Sequence, residues 1–193
     1  MTERIFTVPN LFTFLRIGLI PLFLAYMIQH DPPKALIVFM IAASTDLLDG
    51  ITARLLKQKS KIGALLDPAG DKLLMTAAII ALSIPAISSP NVIPLWLTVT
   101  VIGRDIYIVT GSLVMYKRTR HSTFTPTFVG KMSTVCQMSI LVLVLFSNVI
   151  DSPQPHLIWL YILTLGLALI SGVQYTIIGR RIYNEKMALI HND

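Results

Sequence analysis

An all-α integral membrane protein, with six transmembrane helices and both termini cytoplasmic, is the fold class this sequence predicts. Three observations lead there. Of 193 residues, 54% are hydrophobic and only 13% charged, against about 25% charged in soluble domains. The apolar residues gather into runs near the ~17–25 residues that cross a bilayer as helix. The breaks between the runs alternate between proline-rich and basic. A soluble helical core is excluded by the first two observations. Period-two alternation, the mark of a membrane barrel, is absent, and only helices and closed barrels satisfy their backbones in lipid.

The predicted spans are Leu11–Ile28, Leu36–Leu55, Ile62–Ser83, Leu95–Tyr116, Ser133–Ile150 and Leu157–Ile178. The first contains Arg16 and Pro21 and has no small-residue cleavage site after it, so it reads as a retained span. Before it, Thr2–Pro9 has the pattern of a short helix lying on the membrane surface. "QHDPPK", Gln29–Lys34, is a turn by its paired prolines, and "DSPQPH", Asp151–His156, is another. Ser83–Pro94 is an uncharged loop. The other breaks are basic: Lys57, Lys59 and Lys61 in one, Lys117, Arg118 and Arg120 in the next. Arg180, Arg181 and Lys186 follow the last span. Of the first, third and fifth connections, only the first holds a basic residue, Lys34. Basic residues concentrate on the cytoplasmic side, which places both termini there. No repeat or second domain interrupts residues 1–193, so a single membrane domain is expected.

The net charge of +6 does not point to nucleic acid, because its carriers sit between apolar segments, where they orient the chain and meet anionic lipid. The single cysteine, Cys136, excludes an internal disulfide and a cysteine-rich metal site. Trp96 and Trp159 stand at span ends, where interfacial anchoring accounts for them. His30, His121, His156 and His191 fall in loops or the tail and are not expected to bind metal.

The costly residues are four aspartates. The second span ends with Asp46, Asp49, Gly50, Ala53 and Arg54 on one helical stripe. The third begins with Gly63, Asp67 and Asp71, the last two spaced by four. Pro68 disfavours helical geometry at Asp67 and predicts a kink there. The short connection makes the two spans antiparallel neighbours, so the carboxylates converge near the cytoplasmic end. Left alone they would repel or take up protons. Oxygen ligands without histidine or cysteine select hard cations, and four carboxylates suit a metal pair, the usual device for attack at phosphorus. Small residues give a bulky ligand room, and Arg54 offers a fork for phosphate oxygens.

The segment D46-L-L-D49-G50-I-T-A53-R54, then eight residues, then G63-A-L-L-D67-P-A-G-D71, resembles the full signature of the CDP-alcohol phosphotransferases. The resemblance implies transfer of a phosphatidyl group from CDP-diacylglycerol to an alcohol with release of CMP. It implies two divalent cations, Mg²⁺ or Mn²⁺, held by Asp46, Asp49, Asp67 and Asp71, with Asp71 as the general base. Asp46, Gly50, Ala53, Arg54 and Gly63 would line the CDP site. It also implies a homodimer and an active site at the cytoplasmic face, of the inner membrane in a bacterium. "DPAGD" stands where the family commonly has "DPLAD"; Ala69 and Gly70 keep the carboxylate geometry with a more flexible turn.

"VPNLFTFLRIG", "GRDIY" and "TPTFVGKMSTVCQ" resemble the glycerophospholipid branch, which contains phosphatidylglycerophosphate synthases and phosphatidyltransferase-type cardiolipin synthases. The acceptor is then glycerol-3-phosphate or phosphatidylglycerol. Arg104-Asp105 and "PTF" before Gly130 lean toward the cardiolipin enzymes, whereas Gly130-Lys131 and Thr134-x-x-Gln137 occur in both. Arg16, Arg104 and Lys131 are the expected contacts to acceptor phosphate. The competing reading has Arg16 and Lys131 snorkelling to headgroups and Arg104 paired with Asp105. A proton-coupled transporter is the rival function, since acids in a membrane mark ion paths. The acids here cluster toward one face, and no inverted repeat is present.

Overall fold

The computed structural model describes the backbone of residues 8–56, 61–119 and 127–191, and the side chains of a narrower set that leaves out residues 46–56 and 61–69. Six helices follow in order: α1 Val8–Ile28, α2 Pro32–Leu56, α3 Lys61–Leu82, α4 Leu95–Thr119, α5 Phe128–Val149 and α6 Leu157–His191. Among the described residues there is no strand. The expected surface helix before α1 lies outside the described residues, except at Val8 and Pro9, which open α1 itself.

The helices match the six apolar runs, and the differences lie at their ends. α2 starts at Pro32 rather than Leu36. Asp31 caps it, its Oδ1 accepting from Lys34 N at 3.2 Å, and the two prolines occupy first-turn positions whose N–H groups need no helical partner. Lys34 Nζ also pairs with Asp31 Oδ2 at 2.7 Å. The hydrogen bond to Lys34 holds the Asp31 carboxyl below its ordinary value, and the same bond raises the Lys34 amine. α6 continues past Ile178 to His191, because hydropathy marks where lipid ends, not where helical backbone ends. α3 runs through Pro68 as one helix.

Helices α1, α2 and α3, with residues 141–154 from the end of α5 onward, form one compact unit. α1 packs on both α2 and α3, which also touch each other. Phe23 and Phe39 are fully buried, their rings 5.8 Å apart and tilted by 51°. Around them lie Met27, Ala35, Ala42, Leu74, Met75, Ala78 and Ile79. Alanines on α2 and α3 permit close helix approach, which in lipid replaces the hydrophobic drive that water would supply.

The second compact unit comprises residues 94–140 and 155–193, in which α4 packs on α6. Far more of its described large apolar side chains are exposed than buried: Val99 is 68% exposed, Phe128 77% and Trp159 74%. In water such a surface would be costly, at roughly 25 cal/mol per Å² of apolar area; against acyl chains it is the expected exterior. Leu95–Val114, Phe128–Val149 and Leu157–Ile182 are each long and apolar enough to cross a membrane. The described apolar stretches of α1 and α2 are shorter, Thr13–Ile28 and Pro32–Thr45.

Candidate functional site

The backbone places the acidic segment on two touching helices. Asp46, Asp49, Gly50, Ala53 and Arg54 lie on the last turns of α2, and Gly63, Asp67 and Asp71 on the first turns of α3. The side chains of Asp46, Asp49, Arg54 and Asp67 lie outside the described residues, as do the surroundings of Gly50, Ala53 and Gly63. Asp71 and Lys72 are half-buried. Among the described residues no group of three acidic, histidine or cysteine side chains gathers; three of the four aspartates fall outside that set.

α1 supplies a wall that spacing within the acidic segment does not reveal. Arg16 is fully buried, and its Nε donates to Thr45 Oγ1 at 3.3 Å. Thr45 directly precedes Asp46 and donates in turn to Ala42 O at 2.6 Å. Arg16 therefore does not snorkel to a headgroup; it lies inside the unit, beside the residue that opens the acidic segment. One turn earlier on α1, Thr13 meets α3. A Cβ on Gly70 would come within 3.1 Å of Thr13 Cγ2 and 3.8 Å of Ile17 Cγ1. Gly70 is buried and helical. Its role is close approach of α1 to α3 next to Asp71, not the more flexible turn that its place in "DPAGD" suggests.

A second polar group lies in the α4–α6 unit. Arg104 Nη1 donates to Asp105 Oδ1 at 2.8 Å, and its Nη2 donates to Ser171 Oγ on α6. The guanidinium lies against Gly130, where a Cβ would stand 3.3 Å from Nη2. Gly130 N in turn donates to Thr127 Oγ1 at 3.0 Å. Lys131, the next residue, is exposed. Arg104 thus has the pairing with Asp105 that competes with a ligand role, yet its fork is anchored beside Gly130-Lys131. Ser171 carried no sequence signal: it is one of several hydroxyl residues along α6, 67 residues from Arg104.

The four aspartates of α2 and α3 carry hard oxygen donors. By the chemistry of the donor set they fit divalent cations of the Mg²⁺ type.

The sequence profile of the CDP-alcohol phosphatidyltransferase family matches residues 6–172. Cardiolipin synthase (CMP-forming) of Rattus norvegicus is 32% identical over 176 residues, covering 81% of this chain and 57% of its own. CDP-diacylglycerol–glycerol-3-phosphate 3-phosphatidyltransferase of Aquifex aeolicus is 33% identical over 181 residues, covering 92% of this chain and 99% of its own. Cardiolipin synthase (CMP-forming) of Streptomyces coelicolor is 33% identical over 156 residues, covering 76% and 68%. The chain spans 57% of the rat enzyme and 58% of its human counterpart.

Proposed function

The chain belongs to the CDP-alcohol phosphatidyltransferase family, and from that premise we propose that it transfers a phosphatidyl group from CDP-diacylglycerol to a glycerol-type alcohol. The observation that carries this reading is the placement of Asp46 and Asp49 on the last turns of α2 and of Asp67 and Asp71 on the first turns of α3, two helices in contact. The acceptor is phosphatidylglycerol or glycerol-3-phosphate, the two chemistries into which the named relatives divide. The distribution of basic residues supports six spans and an active site at the cytoplasmic face, where a water-soluble CDP group arrives while its lipid tails stay in the bilayer. Residues 1–193 act as one catalytic domain, and the family resemblance supports a homodimer.

In this mechanism Asp46, Asp49, Asp67 and Asp71 would hold two divalent ions, Mg²⁺ or Mn²⁺. Such ions, when bound, neutralise diphosphate charge and the departing phosphate. Arg54 binds diphosphate oxygens, and Gly50, Ala53 and Gly63 leave room for the nucleotide. Asp71 accepts the proton of the acceptor hydroxyl as its oxygen attacks the lipid-bearing phosphorus. The bond from that phosphorus to the CMP oxygen breaks, and CMP leaves. Arg16, Arg104 and Lys131 are the cations offered to acceptor phosphate.

The test is release of CMP by purified full chain given CDP-diacylglycerol and Mg²⁺ or Mn²⁺, with glycerol-3-phosphate and phosphatidylglycerol supplied side by side. Release dependent on either acceptor supports the reading, and the product identifies the acceptor. No CMP with any alcohol would end it.

A further inference from the structure

The end of the α1–α3 unit away from the aspartates contains a cavity of ≈390 Å³. It lies at the start of α2, about 21 Å along that helix from Asp46 at 1.5 Å per residue. Its lining includes Met27, His30, Ser89, Leu145, Asn148 and Asp151.

Two of these residues have unusual backbones. His30 has φ 55° and Asp151 φ 49°, and they are the only non-glycine residues at positive φ among the described residues. Each ends a helix. His30 N donates to Met27 O at 3.1 Å and Asp31 N to Tyr26 O at 3.0 Å; Ser152 N donates to Ser147 O at 3.2 Å. Helix ends of this geometry favour glycine at the left-handed position, because a Cβ there is crowded. Histidine and aspartate carry a steric cost that glycine would spare, and both face one cavity.

Their chemistry is open to a ligand. Neither side chain makes a hydrogen bond or ion pair among the described residues. Asp31 is already paired with Lys34 at 2.7 Å, so Asp151 is the uncompensated carboxylate. Asn148 has no capacity left. Its Oδ1 accepts from Asn91 N and Nδ2, and its Nδ2 donates to Ser88 Oγ and Asn91 O. What remains is one carboxylate, one imidazole and the Ser89 hydroxyl, above the buried side chains of Met27 and Leu145. A carboxylate beside an imidazole suits a zwitterion better than a lone ion of either sign.

We propose that this cavity binds a phosphoethanolamine headgroup. Asp151 takes the primary ammonium, the His30 N–H donates to a phosphate oxygen, and Met27 and Leu145 receive the first carbons beyond it. A purely anionic headgroup would be repelled by Asp151, and a quaternary ammonium offers no N–H to bond.

The purified full chain in detergent would be titrated with dihexanoyl phosphatidylethanolamine, phosphatidylcholine and phosphatidylglycerol, and with glycerophosphoethanolamine, binding being read by native mass spectrometry. The phosphatidylethanolamine is expected to bind about tenfold tighter than the other two lipids, the scale of one charge-assisted contact. Asp151→Asn removes that preference. Glycerophosphoethanolamine binding as well as the lipid assigns the site to the free headgroup; weaker binding assigns it to the lipid. His30→Gly and Asp151→Gly lose binding while their thermal midpoints hold or rise, since glycine relieves the left-handed backbone. Equal binding of the three lipids, an unchanged preference in Asp151→Asn, or lowered midpoints in both glycine variants would overturn the proposal.

Discussion

At one end of the α1–α3 unit, Asn91 and Asn148 close a net. Asn91 N donates to Asn148 Oδ1 at 2.8 Å, Asn91 Nδ2 to Ser152 O at 2.9 Å, and Gln154 N to Asn91 Oδ1 at 2.8 Å. Both asparagines are buried. At the other end, the last turns of α2 and the first turns of α3 carry four aspartates in sequence, and Arg16 donates to Thr45, the residue before Asp46. The first group balances donors against acceptors within the protein. The second places carboxylates of one sign on neighbouring helix ends, which a fold would not retain for its own stability. A closed polar net holds the loops to the helix ends, whereas the acidic segment is where the proposed reaction places its ions.

The two ends should therefore fail differently when altered. Asp71→Asn is expected to lower CMP release by about 10²–10⁴-fold, the usual worth of a positioned base, with an unchanged thermal midpoint. Chelation of divalent ions should abolish release, and added Mg²⁺ or Mn²⁺ should restore it. Asn148→Ala is expected to do the reverse. It strands several buried groups, each worth about 1–3 kcal/mol, so the midpoint falls while turnover per folded molecule holds. If Asn148→Ala spared stability, or Asp71→Asn destroyed it, the contrast would be broken.

Gly70 sharpens the comparison, because it couples packing to the acidic end. Gly70→Ala gains helix propensity of about 1 kcal/mol but brings its Cβ to 3.1 Å from Thr13 Cγ2. Thr13 is fully buried, so its methyl must give by a few tenths of an ångström beside Asp71. A several-fold loss of turnover is expected, and Thr13→Ser, which removes that methyl, should recover it.

Asp31 gives the smallest effect. Its carboxyl is held below the ordinary 3.8 by the hydrogen bond to Lys34. Its contribution is full above that value and is lost as pH falls through the lower folded-state pKa. The Lys34 amine is raised above 10.5 by the same bond, so its share is full below 10.5 and lost as pH rises through the higher folded-state pKa. The midpoint difference between the wild type and Asp31→Asn should be small near neutrality and close at low pH.

The six helices were legible because lipid requires long apolar runs, and prolines or basic residues punctuate them. The start of α2 was not, since Pro32 and Pro33 read as a turn until Asp31 is seen capping the helix. Nor was the end of α6, where helical backbone outlasts the apolar run. Within the site, the aspartate stripes follow from spacing along α2 and α3. The contribution of α1 does not: Arg16 meets Thr45 across 29 residues, and Thr13 meets Gly70 across a helix–helix contact. Arg104 and Asp105 are sequence neighbours and their pairing could be anticipated, while Ser171 is brought to Arg104 only by the packing of α4 on α6.

Electron paramagnetic resonance of Mn²⁺ bound to the purified full chain tests the aspartate end most directly. A dipole-coupled spectrum from ions about 3.5–4 Å apart, lost in Asp49→Asn and Asp67→Asn, is the expected result. Isolated Mn²⁺ signals unaffected by those substitutions, or no bound Mn²⁺ at all, would contradict it.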